Sequence, residues 1–255
     1  MKNKKSSNSS SSFLSRTWRF FKRLFLIVFI TQFLYIIILK WVNPPFTLTQ
    51  LASWISGDGL KRAYVDDDAI SYNMKLAVIS SEDQLFADHT GFDWKSIEKA
   101  YEYNQRKPGR IIRGGSTISQ QVAKNVFLWN GRSYVRKGLE TYFTFMIEII
   151  WGKRRILEVY LNVAEMGKGV FGIEAAARSY FRKPAAALSS REAAMIAACL
   201  PNPKKYTVKP LSSRVKARYP QIEVQMRFLR PDPDIRRLLT DEQAQKEFKA
   251  RKISR

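Results

Sequence analysis

The sequence predicts an all-α or nearly all-α domain carried behind a single membrane-spanning helix. Two observations give the helical class. From Asn73 onward, apolar residues recur at three- and four-residue spacing between short breaks, and no stretch alternates in the manner of a strand. A third observation, the uncharged run Leu24–Leu39, supplies the membrane helix. With 255 residues, 45% of them hydrophobic, the chain has room for one packed core plus extras.

Residues 1–23 carry Lys2, Lys4, Lys5, Arg16, Arg19, Lys22 and Arg23, no acid, and the serine run Ser9–Ser12, which predicts a disordered basic tail. The anchor is taken as 24–42: Lys40 can snorkel, and Trp18 and Trp41 bracket it at interfacial positions. A cleaved signal peptide would have a shorter leader and a nearby small-x-small cleavage site. Seven cations precede the run and one follows it, so the N-terminus is expected in the cytoplasm and everything after residue 43 on the far side.

That topology bears on the charge. A net charge of +22 and a pI near 10.2 call for an anionic partner. Beyond the membrane that partner is not nucleic acid but a lipid head group or a lipid-borne phosphate. One cysteine, Cys199, excludes an intrachain disulfide and reads as a buried thiol, and a single histidine, His89, argues against a histidine-built zinc site.

Pro44 and Pro45 end the membrane helix. Residues 43–69 read as a juxtamembrane linker in which Leu48–Ile55 either lies on the membrane or caps the domain. Asp66, Asp67 and Asp68 read as N-terminal dipole complementation for the next helix rather than as a metal site. Helices are then expected around 73–83, 94–103, 116–128, 132–151, 153–164, 173–181, 189–200 and 214–229, with a basic loop at 106–115 and a turn at 167–172. Ile111 and Ile112 in that loop could dip into lipid. Residues 231–255 form a charged tail, expected to be poorly ordered.

The stretch Gly114–Asn125, GGSTISQQVAKN, has two faces when read as a helix. Ile118, Val122 and Val126 make an apolar stripe; Thr117, Gln120, Gln121 and Lys124 make a polar one. Thr117 and Gln120 have capping-box spacing, and the glycine pair suits a tight turn before it. The polar stripe is either a surface for a polyoxygenated ligand or an ordinary wet face.

Glu82 closes an apolar helix and precedes a turn-rich stretch, so its carboxylate stands between core and cleft, where environment sets a pKa for general acid or base work. Asp83, His89 and Asp93 read as structural. Lys124, Arg132, Arg136 and Lys137 form a cationic group that fits a diphosphate. Glu140, one turn beyond Arg136, is either a plain ion pair or a second site carboxylate.

Four segments in order, SEDQLFADHTGFD (81–93), GGSTISQQVAKN (114–125), RKGLE (136–140) and KRRILEVYLNVAEMG (153–167), resemble the successive motifs of the family 51 peptidoglycan glycosyltransferases; FGIEAAARSYF (171–181) and LPNPKKY (200–206) continue the match. The resemblance covers roughly residues 70–230, the expected glycosyltransferase domain. The chain is expected to end too soon for a transpeptidase domain, and no Ser-x-x-Lys motif appears, which implies the monofunctional, membrane-anchored form.

The resemblance implies a lysozyme-like helical head with a smaller membrane-proximal jaw that would contain Ile111 and Ile112. It implies polymerisation of lipid II into β-1,4 glycan strands by inverting displacement of the polyprenyl diphosphate. Glu82 matches the catalytic base and Glu140 the second glutamate. Lys124 and Arg132 match cations near the diphosphate, Arg136 and Lys137 the basic pair behind them, and Ser116, Gln120 and Gln121 the polar lining of the cleft. No cofactor is required, although room is left for a divalent Mg or Mn ion near Glu140 or the diphosphate. Expected partners are lipid II, the growing glycan-lipid chain, the membrane and other cell-wall synthesis proteins, at the bacterial inner membrane with the catalytic domain on the periplasmic side. The rival enzyme is a lysozyme-like glycan-cleaving one, which would have no diphosphate for the cations to meet. The rival of another class is a membrane-anchored scaffold that binds anionic lipid or glycan.

Overall fold

The computed structural model describes residues 9–106, 114–131 and 133–240, with side chains from residue 15. It divides into two units, 1–42 and 43–255. Arg132, Ile111 and Ile112 lie outside the described residues, as does the tail from 241.

The first unit is helix α1, Ser9–Ile38. Its stretch Ser15–Ile38 is long and apolar enough to cross a membrane. The helix extends back into the segment expected to be disordered, because no proline or glycine interrupts it from Ser9 on. It ends at Ile38, short of Val42.

In the second unit, α2 (Leu48–Ile55), β1 (Lys61–Arg62), α3 (Tyr72–Glu82), α4 (Trp94–Arg106), α5 (Ile118–Phe127), α6 (Tyr134–Ile150) and α7 (Lys153–Val163) come first. Then follow β2 (Glu165–Gly167), β3 (Val170–Phe171), α8 (Ile173–Phe181), α9 (Ser190–Cys199), α10 (Ser213–Leu229) and α11 (Pro233–Leu239). The result is the mainly all-α, lysozyme-like domain behind one apolar helix that the sequence predicts.

Helix α3 is central. Every residue from Met74 to Ser80 is buried, as befits a segment whose single charge, Lys75, is neutralised by Asp67 at 2.7 Å. It packs on α9 and α10, while α5 packs on α6 and α7. The cleft forms where the end of α3 meets the first turns of α5. By contrast α4 buries none of its residues.

Five local expectations need correction. The small sheet, in the order β1-β3-β2, was not legible as strands. Its strands are two or three residues long, too short for any period to show, and they pair only because the β2–β3 turn meets the 58–62 segment. That turn requires Gly169, whose φ is +67° and whose Cβ would lie 2.2 Å from the Asp58 carbonyl oxygen.

Residues 233–239 of the expected tail form α11, capped by the Asp232 carboxylate, with Ile235 and Leu239 buried. Asp67 does not complement the dipole of α3, whose cap is Ser71; it bridges Lys75 and Arg154, at 2.7 and 2.8 Å. The glycine pair is not a tight turn, since residues 114–117 form no turn. Gly115 is needed for close approach: a Cβ there would lie 2.9 Å from the Ile97 Cα of α4. Finally, the 43–69 segment carries α2 and β1, and buried Asn162 holds it by exchanging two 2.9 Å hydrogen bonds with the Val65 backbone.

Candidate active site

Thr117 and Gln120 form the capping box their spacing predicts. The Thr117 hydroxyl accepts from the Gln120 N–H at 3.2 Å, and the Gln120 side-chain oxygen accepts from the Thr117 N–H at 3.0 Å. Both side chains are buried, so half of the predicted polar stripe starts the helix instead of facing solvent. Gln120 still borders the cleft, but its oxygen is committed. Gln121 and Lys124, the other half, turn towards the site.

Glu82 ends α3, and its Oε2 accepts from Gln121 Nε2 at 2.9 Å. The Gln121 amide is oriented from behind by Tyr160 of α7, whose hydroxyl donates to Gln121 Oε1 at 3.4 Å. Burial raises the Glu82 pKa above the usual carboxylate range; the Gln121 hydrogen bond and the charge of Arg218 oppose that rise, and the charge of Asp83 adds to it. Asp83 itself is buried and accepts from the Ile118 N–H at 2.9 Å and from His89 Nε2 at 3.0 Å, so it joins the end of α3 to the start of α5. This is the structural part expected for Asp83 and His89.

Three adjoining cavities meet at Gly114. One of about 430 Å³ holds Glu82, Asp83, Asp93 and Ser116. Another of about 880 Å³ is lined by Ser116, Gln121, Lys124, Arg136, Lys137 and Glu140. A third of about 450 Å³ is lined by Ser81, Arg214, Arg218 and Gln221. A carboxylate with raised pKa thus stands in one chamber, and cations stand in the chambers on either hand.

In the larger chamber Glu140 is buried and both its oxygens are taken, by Arg136 at 2.7 Å and Lys137 at 2.5 Å. Of the two alternatives for Glu140, this geometry is that of an ion pair, with both cations held by one acid. The Arg136 Nε is buried and has no hydrogen-bond partner. Burial lowers the pKa of Lys124; the Glu140 carboxylate raises it, and the nearby Arg136 and Lys137 lower it further. Among the described residues, no three His, Cys, Asp or Glu side chains gather as a metal site.

The structure therefore brings together Glu82, Ser116, Gln121, Lys124, Arg136, Lys137 and Glu140. Sequence reading overlooked Tyr160 and Arg218. Tyr160 lies in the helix expected at 153–164, within an apolar stretch that carries no signal of a site. Arg218 sits in an ordinary amphipathic helix more than a hundred residues from Glu82, and no local signal marks it.

The transglycosylase family model matches residues 49–227 of the chain. A biosynthetic peptidoglycan transglycosylase of Pseudomonas savastanoi pv. phaseolicola is 50% identical over 205 residues, covering 78% of this chain and 86% of that protein. The protein of the same name in Yersinia pseudotuberculosis serotype IB is 50% identical over 223 residues, covering 85% and 92%. The one in Pasteurella multocida is 46% identical over 226 residues, covering 83% and 90%.

Proposed function

The chain belongs to the transglycosylase family and is a peptidoglycan glycosyltransferase, and from that premise we propose that it polymerises lipid II with Glu82 as the general base. Glu82 takes the proton from the 4-hydroxyl of the acceptor sugar. The freed oxygen attacks the anomeric carbon of the donor, the bond from that carbon to the polyprenyl diphosphate breaks, and the diphosphate leaves from the opposite face with the electron pair. One displacement converts the α-linkage to β.

The observation that carries this reading is the pairing of chambers. A carboxylate whose burial moves its pKa upward, towards working pH, adjoins a pocket whose cations face the place where negative charge grows on the leaving group. Lys124 and Arg136 meet the diphosphate, joined by Arg132 from outside the described residues. Glu140 holds Arg136 and Lys137 in place. Ser116 and Gln121 contact the sugars, and Gln120 contributes through the helix it caps. No resident cofactor is needed. Polymerisation that survives EDTA would show that protein cations suffice, whereas loss restored by Mg or Mn would add a metal on the diphosphate.

The span Ser15–Ile38 anchors the enzyme in the bacterial inner membrane, with the basic N-terminus in the cytoplasm and the domain on the outer side, where the lipid-linked substrate is confined to the same surface. The test gives purified full-length protein labelled lipid II. Wild type is expected to make polymer that lysozyme digests, and Glu82→Gln to make none. Equal turnover by Glu82→Gln would overturn the base assignment. Cleavage of intact sacculi without polymer formation would replace polymerisation by glycan hydrolysis.

A further inference from the structure

Behind the Glu82–Gln121 pair lies a closed ring of buried polar side chains. Asp83 accepts from the Ile118 N–H and from His89 Nε2, at 2.9 and 3.0 Å. His89 Nδ1 accepts from the Gly91 N–H at 3.1 Å and faces Lys153 Nζ at 3.4 Å. Lys153 Nζ donates to Glu148 Oε1 at 2.7 Å, and the same oxygen accepts from Ser119 Oγ at 2.5 Å. Ser119 follows Ile118, so the circuit returns to its start. Because Nδ1 accepts from a backbone N–H, the imidazole proton sits on Nε2 and points at Asp83.

The ring draws on α3, the 83–93 turn, α5, α6 and α7. Its side chains are between 3 and 17% exposed for Asp83, His89, Glu148 and Lys153, and Ser119 is fully buried. Lys153 is its single cation and also lies over the Phe86 ring at 4.5 Å. Both members of the pair in the cleft are attached to it by near neighbours: Glu82 through Asp83, and Gln121 through Ile118 and Ser119 less than a turn earlier.

We propose that Lys153 is a positioning residue for the transfer reaction. By joining His89 to Glu148 it closes the ring, fixes the start of α5 on the end of α3, and so fixes Gln121 on Glu82. The inference rests on Glu82 being the base. Lys153 acts on it in a second way, through charge. The charges and titratable groups that face Glu82 are Asp83, Arg218, Lys124, Tyr160 and Cys199. Those that face Lys153 are Glu148, Asp83, Asp88 and His89. Asp83 is common to both sets, so the ammonium of Lys153 tempers the one carboxylate that holds the Glu82 proton on.

Polymerisation by the full-length protein is followed across pH for three variants. Lys153→Met should lower kcat about tenfold with KM little changed, and should move the acid limb of the rate profile up by about half a pH unit, since Asp83 is then less neutralised. Glu148→Gln keeps an oxygen for Ser119 and Lys153 but removes a charge, so its acid limb should move down. Lys153→Arg should restore most of the rate with the wild-type limb. A purely structural role would cut the folded fraction and leave every limb in place. Wild-type limbs in Lys153→Met and Glu148→Gln would overturn the proposal, as would Lys153→Arg performing no better than Lys153→Met. If Lys153→Met fails to fold, the direction of the Glu148→Gln limb decides. Unmoved limbs alongside an inactive Glu82→Gln would remove the ring alone, whereas an active Glu82→Gln would remove the base reading beneath it.

Discussion

Gln121 donates to Glu82 across 2.9 Å while Tyr160 donates to the other end of the same amide, so the glutamine reaches the carboxylate with its nitrogen and not its oxygen. The hydrogen bond stabilises the ionised form of Glu82 against the burial that opposes it.

Gln121→Ala removes the strongest influence that lowers the Glu82 pKa. The base then ionises at higher pH, and the acid limb of the rate profile moves upward. At neutral pH the rate should fall about tenfold. Tyr160→Phe should give a smaller shift in the same direction. Initial rates of lipid II polymerisation between pH 5 and pH 9, roughly the range of carboxylate-to-lysine control, measure both; an unmoved limb in Gln121→Ala would separate the glutamine from the base.

Glu82 should cost the fold stability at neutral pH. Its folded pKa is raised, so the folded state holds the proton where the unfolded chain has released it, and stability falls as pH rises from the unfolded value of about 4.5 through the folded one. Glu82→Gln, neutral at every pH, should therefore melt a few degrees above wild type at pH 7 while being inactive. The gap should close as pH falls towards 4.5, the ordinary glutamate value. Calorimetry at several pH values checks this, and a gap independent of pH would contradict it.

Lys124 depends on Glu140 for its proton, because that carboxylate is the main influence keeping its pKa up against burial. Glu140→Gln should therefore bring the alkaline limb of activity to lower pH. It should also lower stability by about 2 kcal/mol, since Arg136 loses its partner in a mostly buried pair. Lys137, half exposed, adds little to that figure. Lys124→Ala should cost at least a hundredfold in kcat. Full activity in Lys124→Ala would remove the diphosphate role.

Gly115→Ala places a methyl 2.9 to 3.1 Å from the backbone of Ser96 and Ile97, with no flexible side chain to give way. The start of α4 must shift from the 114–117 segment, which walls the Glu82 chamber. Activity should fall more than tenfold with the melting temperature lowered by only a few degrees. Gly114→Ala, with no protein atom within 4 Å of its Cβ, should keep the wild-type melting temperature and serves as the stability comparison.

The sequence by itself determined the long apolar N-terminal helix, the helical class and most helix boundaries, because each rests on properties local in the chain. An uncharged run, a three-four apolar spacing and a Thr-x-x-Gln cap declare themselves within a few residues. It also isolated Glu82, Lys124, Arg136 and Glu140, whose charges sit in segments that motif resemblance could align. Only the tertiary structure decided what those residues do to one another. It made Glu140 the holder of two cations. It brought Arg218 and Tyr160 to Glu82 from distant helices, and it closed the Lys153 ring across five segments. Hydrogen bonds and charge interactions act over a few ångströms of space regardless of separation along the chain, so a pattern confined to neighbours in sequence cannot carry them. The pairing of β1 with β3 is hidden for the same reason, since its partners lie more than a hundred residues apart.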